Sequence, residues 1–101
     1  MKKFIIGWVK FKPEHSASFL DAMKMHAAAT REEQGCVFFD VGVSLEAPDT
    51  AVFVECFENP EAHKRHQETP RMKEVMDYVA DMVLAGRFEN IVSDDVTSDA
   101  L

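Results

Sequence analysis

Three strand-like segments of this chain are apolar on both of their faces. In the first, Lys3 to Lys12, Phe4, Ile6 and Trp8 alternate with Ile5, Val9 and Phe11. In the second, Cys36 to Ser44, Val37, Phe39, Val41 and Val43 point one way and Cys36 and Phe38 the other. In the third, Ala51 to Glu58, Val52, Val54 and Cys56 oppose Ala51, Phe53 and Phe57. A sheet with one wet face alternates apolar with polar side chains, and these segments do not. Helices can bury only one of the two faces, and the chain has no spare element for the other. The simplest cover is the sheet of a second identical subunit, giving an isologous homodimer with a sheet-on-sheet interior. Burying ~800 Å² per partner would be ordinary for such a contact. A monomer would expose an apolar sheet, which soluble proteins rarely tolerate.

Between these strands the helical signals are explicit. Pro13-Glu14 breaks the first strand and starts a helix to about Arg31, with Phe19, Leu20, Met23, Ala27 and Thr30 on one side of the wheel. Gly35 stops that segment, and Ala47-Pro48-Asp49-Thr50 carries turn chemistry. Asn59-Pro60-Glu61 reads as a helix start: an Asn cap, Pro at the first helical position, and an acid near the positive helix end. Thr69-Pro70 repeats the signal and divides a short helix from a longer one. In the longer one Met72, Val75, Met76, Val79, Met82 and Val83 follow the 3.6-residue period, Gly86 is expected to end it, and Arg87 to Ser93 to form the last strand. The expected order is β-α-β-β-α-β, an α+β ferredoxin-like fold with a four-stranded antiparallel sheet. Residues 1–93 form its single domain, and residues 94–101 an acidic, loosely held tail.

Bulk properties narrow the partners. At 101 residues and a net charge of −7, the chain lacks the basic surface that nucleic acids and anionic membranes reward. Met1-Lys2-Lys3 leads directly into a strand, without the apolar stretch of a signal peptide, and no segment approaches the ~20 apolar residues of a membrane span. A cytoplasmic protein is expected. In the hairpin turning near Pro48-Asp49, residue 36 would lie opposite roughly residue 59, so Cys36 and Cys56 do not face each other and read as reduced thiols.

Several residues could carry chemistry. Asp40 and Glu55 interrupt apolar strands, and a carboxylate taken out of water must find a donor, a cation or a proton. Each reads either as a strand-end charge reaching solvent or as a cavity group that orients a histidine or a substrate hydroxyl. On the short helix His66 lies opposite Lys64, Arg65 and Glu68, so it is expected to turn toward the sheet. There a neighbouring carboxylate can tune an imidazole into a general base. His26 falls at the edge of the apolar stripe of the first helix, at a pocket rim. Trp8 and Phe38 could stack on a planar ligand. His63 and His66 at i, i+3 are two imidazoles with no third ligand at metal spacing, so no metal site is expected. No phosphate loop, GxSxG or dinucleotide fingerprint is present.

Gln34-Gly35-Cys36 at the opening of one apolar strand, Glu55 at the close of another, and the run Asn59-Pro60-Glu61-Ala62-His63 through His66 to Thr69-Pro70 resemble the antibiotic biosynthesis monooxygenase family. The likeness covers residues 4 to 92. It implies a dimeric α/β barrel and, from its quinol monooxygenases, catalysis without metal or flavin on a small aromatic substrate with O₂. His66 would be the base, and Asp40 or Glu55 would orient it or the substrate. Members that rely on a pocket tyrosine transfer poorly, because Tyr78 is the only tyrosine. Glu32-Glu33-Gln34-Gly35, Phe39-Asp40-Val41 and His66-Gln67-Glu68-Thr69-Pro70 are also similar to the isomerase that processes phosphorylated autoinducer-2. That reading needs a phosphate grip, for which Lys64, Arg65, Arg71 and Lys73 beside the helix start at Thr69-Pro70 are the candidates. A third reading is a dimer that only binds a small hydrophobe.

Overall fold

β-branched and aromatic residues dominate the apolar segments, and in the computed structural model all three pair as strands. β1 spans Lys2–Phe11, β2 Cys36–Val43 and β3 Thr50–Phe57; a fourth strand, β4, spans Val83–Ser93. They form one antiparallel sheet in the order β2-β3-β1-β4. A single 3₁₀ turn at Pro13–His15 leads into α1, Ser16–Arg31. Two further helices, α2 (Pro60–Gln67) and α3 (Pro70–Val79), join β3 to β4. This is the α+β ferredoxin-like fold, with its second helical unit broken in two.

Local chemistry sets the breaks. The Asn59 side chain accepts from the Ala62 backbone N–H at 2.8 Å and caps α2. Thr69 Oγ1 accepts from Met72 N–H at 3.1 Å to cap α3, while donating at 2.9 Å to the carbonyl of His66. One hydroxyl therefore starts one helix and fastens the end of the other. Gly35 ends the turn after α1 at φ 89°, and a Cβ there would come within 2.6 Å of the Ala62 Cβ. The position needs glycine for both its backbone and its space.

Two expectations are corrected. Gly86 lies inside β4 opposite Val9, not at a helix end. α3 stops at Val79, a 3₁₀ turn covers Ala80–Met82, and Val83 to Ala85 pair with Phe11 and Lys10. The sheet ladder outweighs the helical period of Met82 and Val83. In β2, the register shifts between Cys36 and Phe38, so Cys36 faces Phe57 and Val37 is carried out of the alternation to 45% exposure.

The helices cover the face of the sheet that carries Ile5, Val9, Phe39, Phe53 and Phe57, and Phe19, Met23, Ala27 and Val79 complete the core from the helix side. Burial of a phenylalanine of this kind contributes roughly 2–3 kcal/mol. The opposite face carries Phe4, Trp8, Phe38, Val54 and Ile91, of which the last three are 37–45% exposed. Both cysteines are free. Burial is the first cause raising their thiol pKa values, which keeps them protonated. No helix is long and apolar enough to cross a membrane.

Candidate active site

A cavity of about 340 Å³ lies between the helices and the covered sheet face, at the lower end of small-molecule pockets. Its sheet wall follows from register: Phe39, Glu55, Ile5 and Asn90 form one row across the four strands. The next row places Phe53, Gly7 and Phe88 side by side, and a Cβ on Gly7 would come within 2.4 Å of the Phe88 ring. That missing side chain makes room for an aromatic wall. The helices add Met72, Val75 and Val79 from α3 and three histidines: His26 from α1, and His63 and His66 from α2.

His66 is 3% exposed and packs against Phe57 and Phe39, with ring centres 5.3 and 6.0 Å away. Its Nδ1 lies 2.9 Å from Glu33 Oε1, in the turn after α1. A carboxylate only accepts, so in the neutral ring Nδ1–H donates and Nε2 keeps its lone pair. Nε2 has no partner within the chain. This is the geometry of a general base oriented by a carboxylate.

The other end of Glu33 is held as well. Arg71, in the first turn of α3, pairs through Nη2 with Glu33 Oε2 and through Nη1 with His26 Nδ1 at 2.9 Å. Four side chains from α1, its following turn, α2 and α3 thus form one chain, His66–Glu33–Arg71–His26. Burial, then His66 and then Arg71 push the pKa of His26 down to about 4, so its ring is neutral at neutral pH. His63 is also pushed down to about 4, by burial, then Lys3, then His66.

Glu55 is 6% exposed and has neither a hydrogen bond nor an ion pair within the chain. Burial alone raises its carboxyl to about 7. The group stands in an apolar wall close to half protonated at neutral pH, able to give or take a hydrogen bond from whatever fills the space.

The structure thus brings five residues singled out in the sequence to one place: Glu55, His26, His63 and His66 line the cavity, and Arg71 stands directly behind it. Three others lie elsewhere. Asp40 is on the uncovered sheet face, 72% exposed at its side chain and paired with Arg31 at 3.3 Å. Its neighbour Phe39 takes the inward position, so strand alternation turns Asp40 out. Trp8 shares that outer face, under the Arg87 guanidinium 4.4 Å from its ring centre, and Phe38 packs beside Phe4 at 6.4 Å. Neither can stack on a ligand in the cavity. Two site residues had no role in the sequence reading. Asn90 sits on a strand whose inward face is fixed only by pairing with β1. Glu33 enters the sequence analysis only within the run Glu32-Glu33-Gln34-Gly35, with no role of its own, and the turn at Gly35 swings it under His66. No group of three or more His, Cys, Asp or Glu is arranged to hold a metal ion.

The fold and the histidine-lined cavity beneath its helices define a small ferredoxin-like α+β protein with a pocket between helices and sheet. The antibiotic biosynthesis monooxygenase family model matches residues 4–78, and the chain belongs to that family. No curated protein matches the sequence. Among solved structures, it is similar to a protein from Deinococcus radiodurans (TM-score 0.90, 21% identity, 97% of this chain and 98% of that one covered). It is similar also to one from Nitrosomonas europaea (0.88, 21%, 96% and 94%), and both are provisionally named antibiotic biosynthesis monooxygenases. A third, from Mycobacterium tuberculosis, superposes at 0.88 with 17% identity over 97% of this chain and all of that one. At these identities the likeness is one of fold.

Proposed function

We propose that the protein is a cofactor-independent monooxygenase for a small hydroxylated aromatic, with His66 as the base. The observation that carries this reading is the Glu33-oriented imidazole, whose unpartnered Nε2 belongs to a ring lining an apolar cavity. Membership of the family supplies the reaction class. His66 Nε2 would take the proton of a ring hydroxyl, and the resulting phenolate would pass an electron to O₂. The balance closes without an external reductant. A diol oxidised to a quinone gives up two electrons, and conversion of a ring C–H to C–OH gives two more. These four reduce O₂ to one inserted oxygen and one water. The aromatic walls Phe39, Phe53 and Phe88 suit a planar substrate, and Glu55 and Asn90, in the row of Phe39, supply polar contacts. The working unit is a homodimer joined through the apolar outer sheet face, where Phe38, Val54 and Ile91 remain exposed on a single chain.

The isomerase reading is less well supported. Of its phosphate-binding candidates, Arg71 is committed to Glu33 and His26, and Lys73 bonds Asp77 at 2.8 Å. A protein that only binds its ligand would use the same cavity, and turnover separates the two. The test is O₂ consumption by EDTA-treated protein over a panel of hydroquinones, beside a His66→Ala variant. Uptake by the wild type that vanishes in the variant is expected. Wild-type protein inert across the panel would overturn the oxygenase reading, and equal uptake by the variant would overturn the histidine base.

A further inference from the structure

His26 and His66 are buried neighbours with opposite hydrogen-bonding partners. The two ring centres are 5.4 Å apart, and both rings line the cavity. Behind His66 stands a carboxylate, which only accepts; behind His26 stands a guanidinium, which only donates. In the neutral rings this fixes opposite tautomers. His66 carries its proton on Nδ1 and offers an Nε2 lone pair. His26 accepts a hydrogen bond at Nδ1 from the Arg71 guanidinium, so its own proton is on Nε2. Neither Nε2 has a partner in the chain, and both histidines are at least 95% buried. Two hydrogen bonds of about 2.8 Å to a common atom span up to roughly 5.6 Å between the nitrogens. With ring centres 5.4 Å apart, the two Nε2 atoms fall within that span when both turn into the cavity that the rings line.

We infer that His26 and His66 form a donor–acceptor pair for one ionisable hydroxyl, Glu33 and Arg71 locking the tautomer of each, so that phenol-class ligands bind through an oxygen that donates to His66 and accepts from His26. His26 is then a catalytic residue: its Nε2–H faces the oxygen on which negative charge grows when His66 takes the proton, as a donor in an oxyanion hole does. Glu33 and Arg71 are positioning residues. Their mutual ion pair makes the lock a single unit, since neither can turn away without breaking its contact with the other. The low pKa of His26 supports the arrangement, because a protonated ring there could not accept from Arg71. This inference rests on the cavity being the substrate site, as proposed above, and adds the chemistry by which that site selects its ligand.

Two measurements on the intact protein test it. The first is imidazole ¹⁵N–¹H NMR of ¹⁵N-histidine-labelled protein at neutral pH. The expected result is the Nδ1–H tautomer for His66 and the Nε2–H tautomer for His26; the reverse form at either ring overturns the lock. The second is calorimetric binding of phenol against anisole, whose methylated oxygen cannot donate. Phenol is expected to bind at least tenfold tighter, and equal affinities overturn the paired site. Arg71→Met should mix the His26 tautomers and reduce the phenol preference at least threefold, whereas Arg71→Lys, still a pure donor, should retain both. An Arg71→Met protein with the wild-type tautomer and preference would show that Arg71 does not position His26. Neither readout requires turnover. Selective phenol binding without O₂ uptake from any hydroquinone would sink the oxygenase reading and leave the pair standing, and O₂ uptake with reversed tautomers would do the opposite.

Discussion

The two faces of the sheet solve different problems with similar residues. On the inner face, α1, α2 and α3 supply cover together with polar side chains, so a carboxyl group and three imidazoles can sit among phenylalanines. On the outer face nothing in the chain supplies either. Phe4 and Phe38 flank Cys56 across β1, β3 and β2, and only that small central residue is fully shielded, at 1% exposure. Val54, in the same strand, remains 42% exposed. On the edge strands of this face, Asp40 of β2 and Arg87 and Glu89 of β4 stay wet. A face covered by its own chain can carry chemistry, because the covering elements bring matched hydrogen-bond partners with them. The uncovered face is largely apolar, which suits the proposed homodimer, because an unmatched polar group buried in such an interface would cost more than it returns.

The sharpest test of this contrast is on the inner face. His66→Ala should lower oxygenation about 10²–10⁴-fold while leaving the circular dichroism spectrum intact, as expected for loss of a general base. On the outer face, Val54→Lys should leave the single chain folded but weaken self-association at least ~100-fold, since an unpaired charge buried in an interface costs several kcal/mol. Sedimentation velocity would show this, and an unchanged dimer would remove the outer face as the interface.

A third test uses pH. The folded state holds the Glu55 proton up to about pH 7 against an ordinary value of 4.5, so its contribution to stability is present below 4.5 and lost as pH rises through 7. His26 and His63, lowered to about 4, act the other way: their contribution is present above 6.5 and lost as pH falls through 4. Stability should therefore rise from pH 4 to a maximum near 6.5 and then decline slightly. Glu55→Gln should abolish the decline and raise stability at pH 7.5 relative to pH 4.5 by up to about 3 kcal/mol, read from urea midpoints. A wild-type profile with no Glu55-dependent arm would mean that the carboxyl is solvated. The smallest effect should come from Asp40→Asn. Turnover should stay within about twofold and stability within ~1 kcal/mol, because its ion pair with Arg31 is exposed. A large loss of activity would return Asp40 to the site.

Much of the fold was legible because its signals are local. Asn59-Pro60 and Thr69-Pro70 announce two helix starts through capping atoms a few residues away, and Gly35 marks a turn that only glycine fits. Alternation within the strands exposed the doubly apolar sheet. Where the reading failed, a distant partner decided the outcome. Gly86 resembles a helix stop until β1 pairs with Val83 to Ala85, and the slip at Val37 depends on β3. The same division runs through the site. The helical wheel turned His66 inward, but Asp40 and Glu55 looked alike because both interrupt apolar runs; only the register puts Glu55 beside Ile5 and turns Asp40 to solvent.

By itself the sequence determined which segments are strands and helices, that one sheet face would lack cover, and that a histidine on α2 would face inward, since each follows from periods and caps spanning a few residues. The tertiary structure alone decided that Glu33, thirty-three residues from His66, is the carboxylate that orients it, and that Arg71 joins this pair to His26. Hydrogen bonds of that kind depend on where separate elements meet, and no local pattern encodes their meeting.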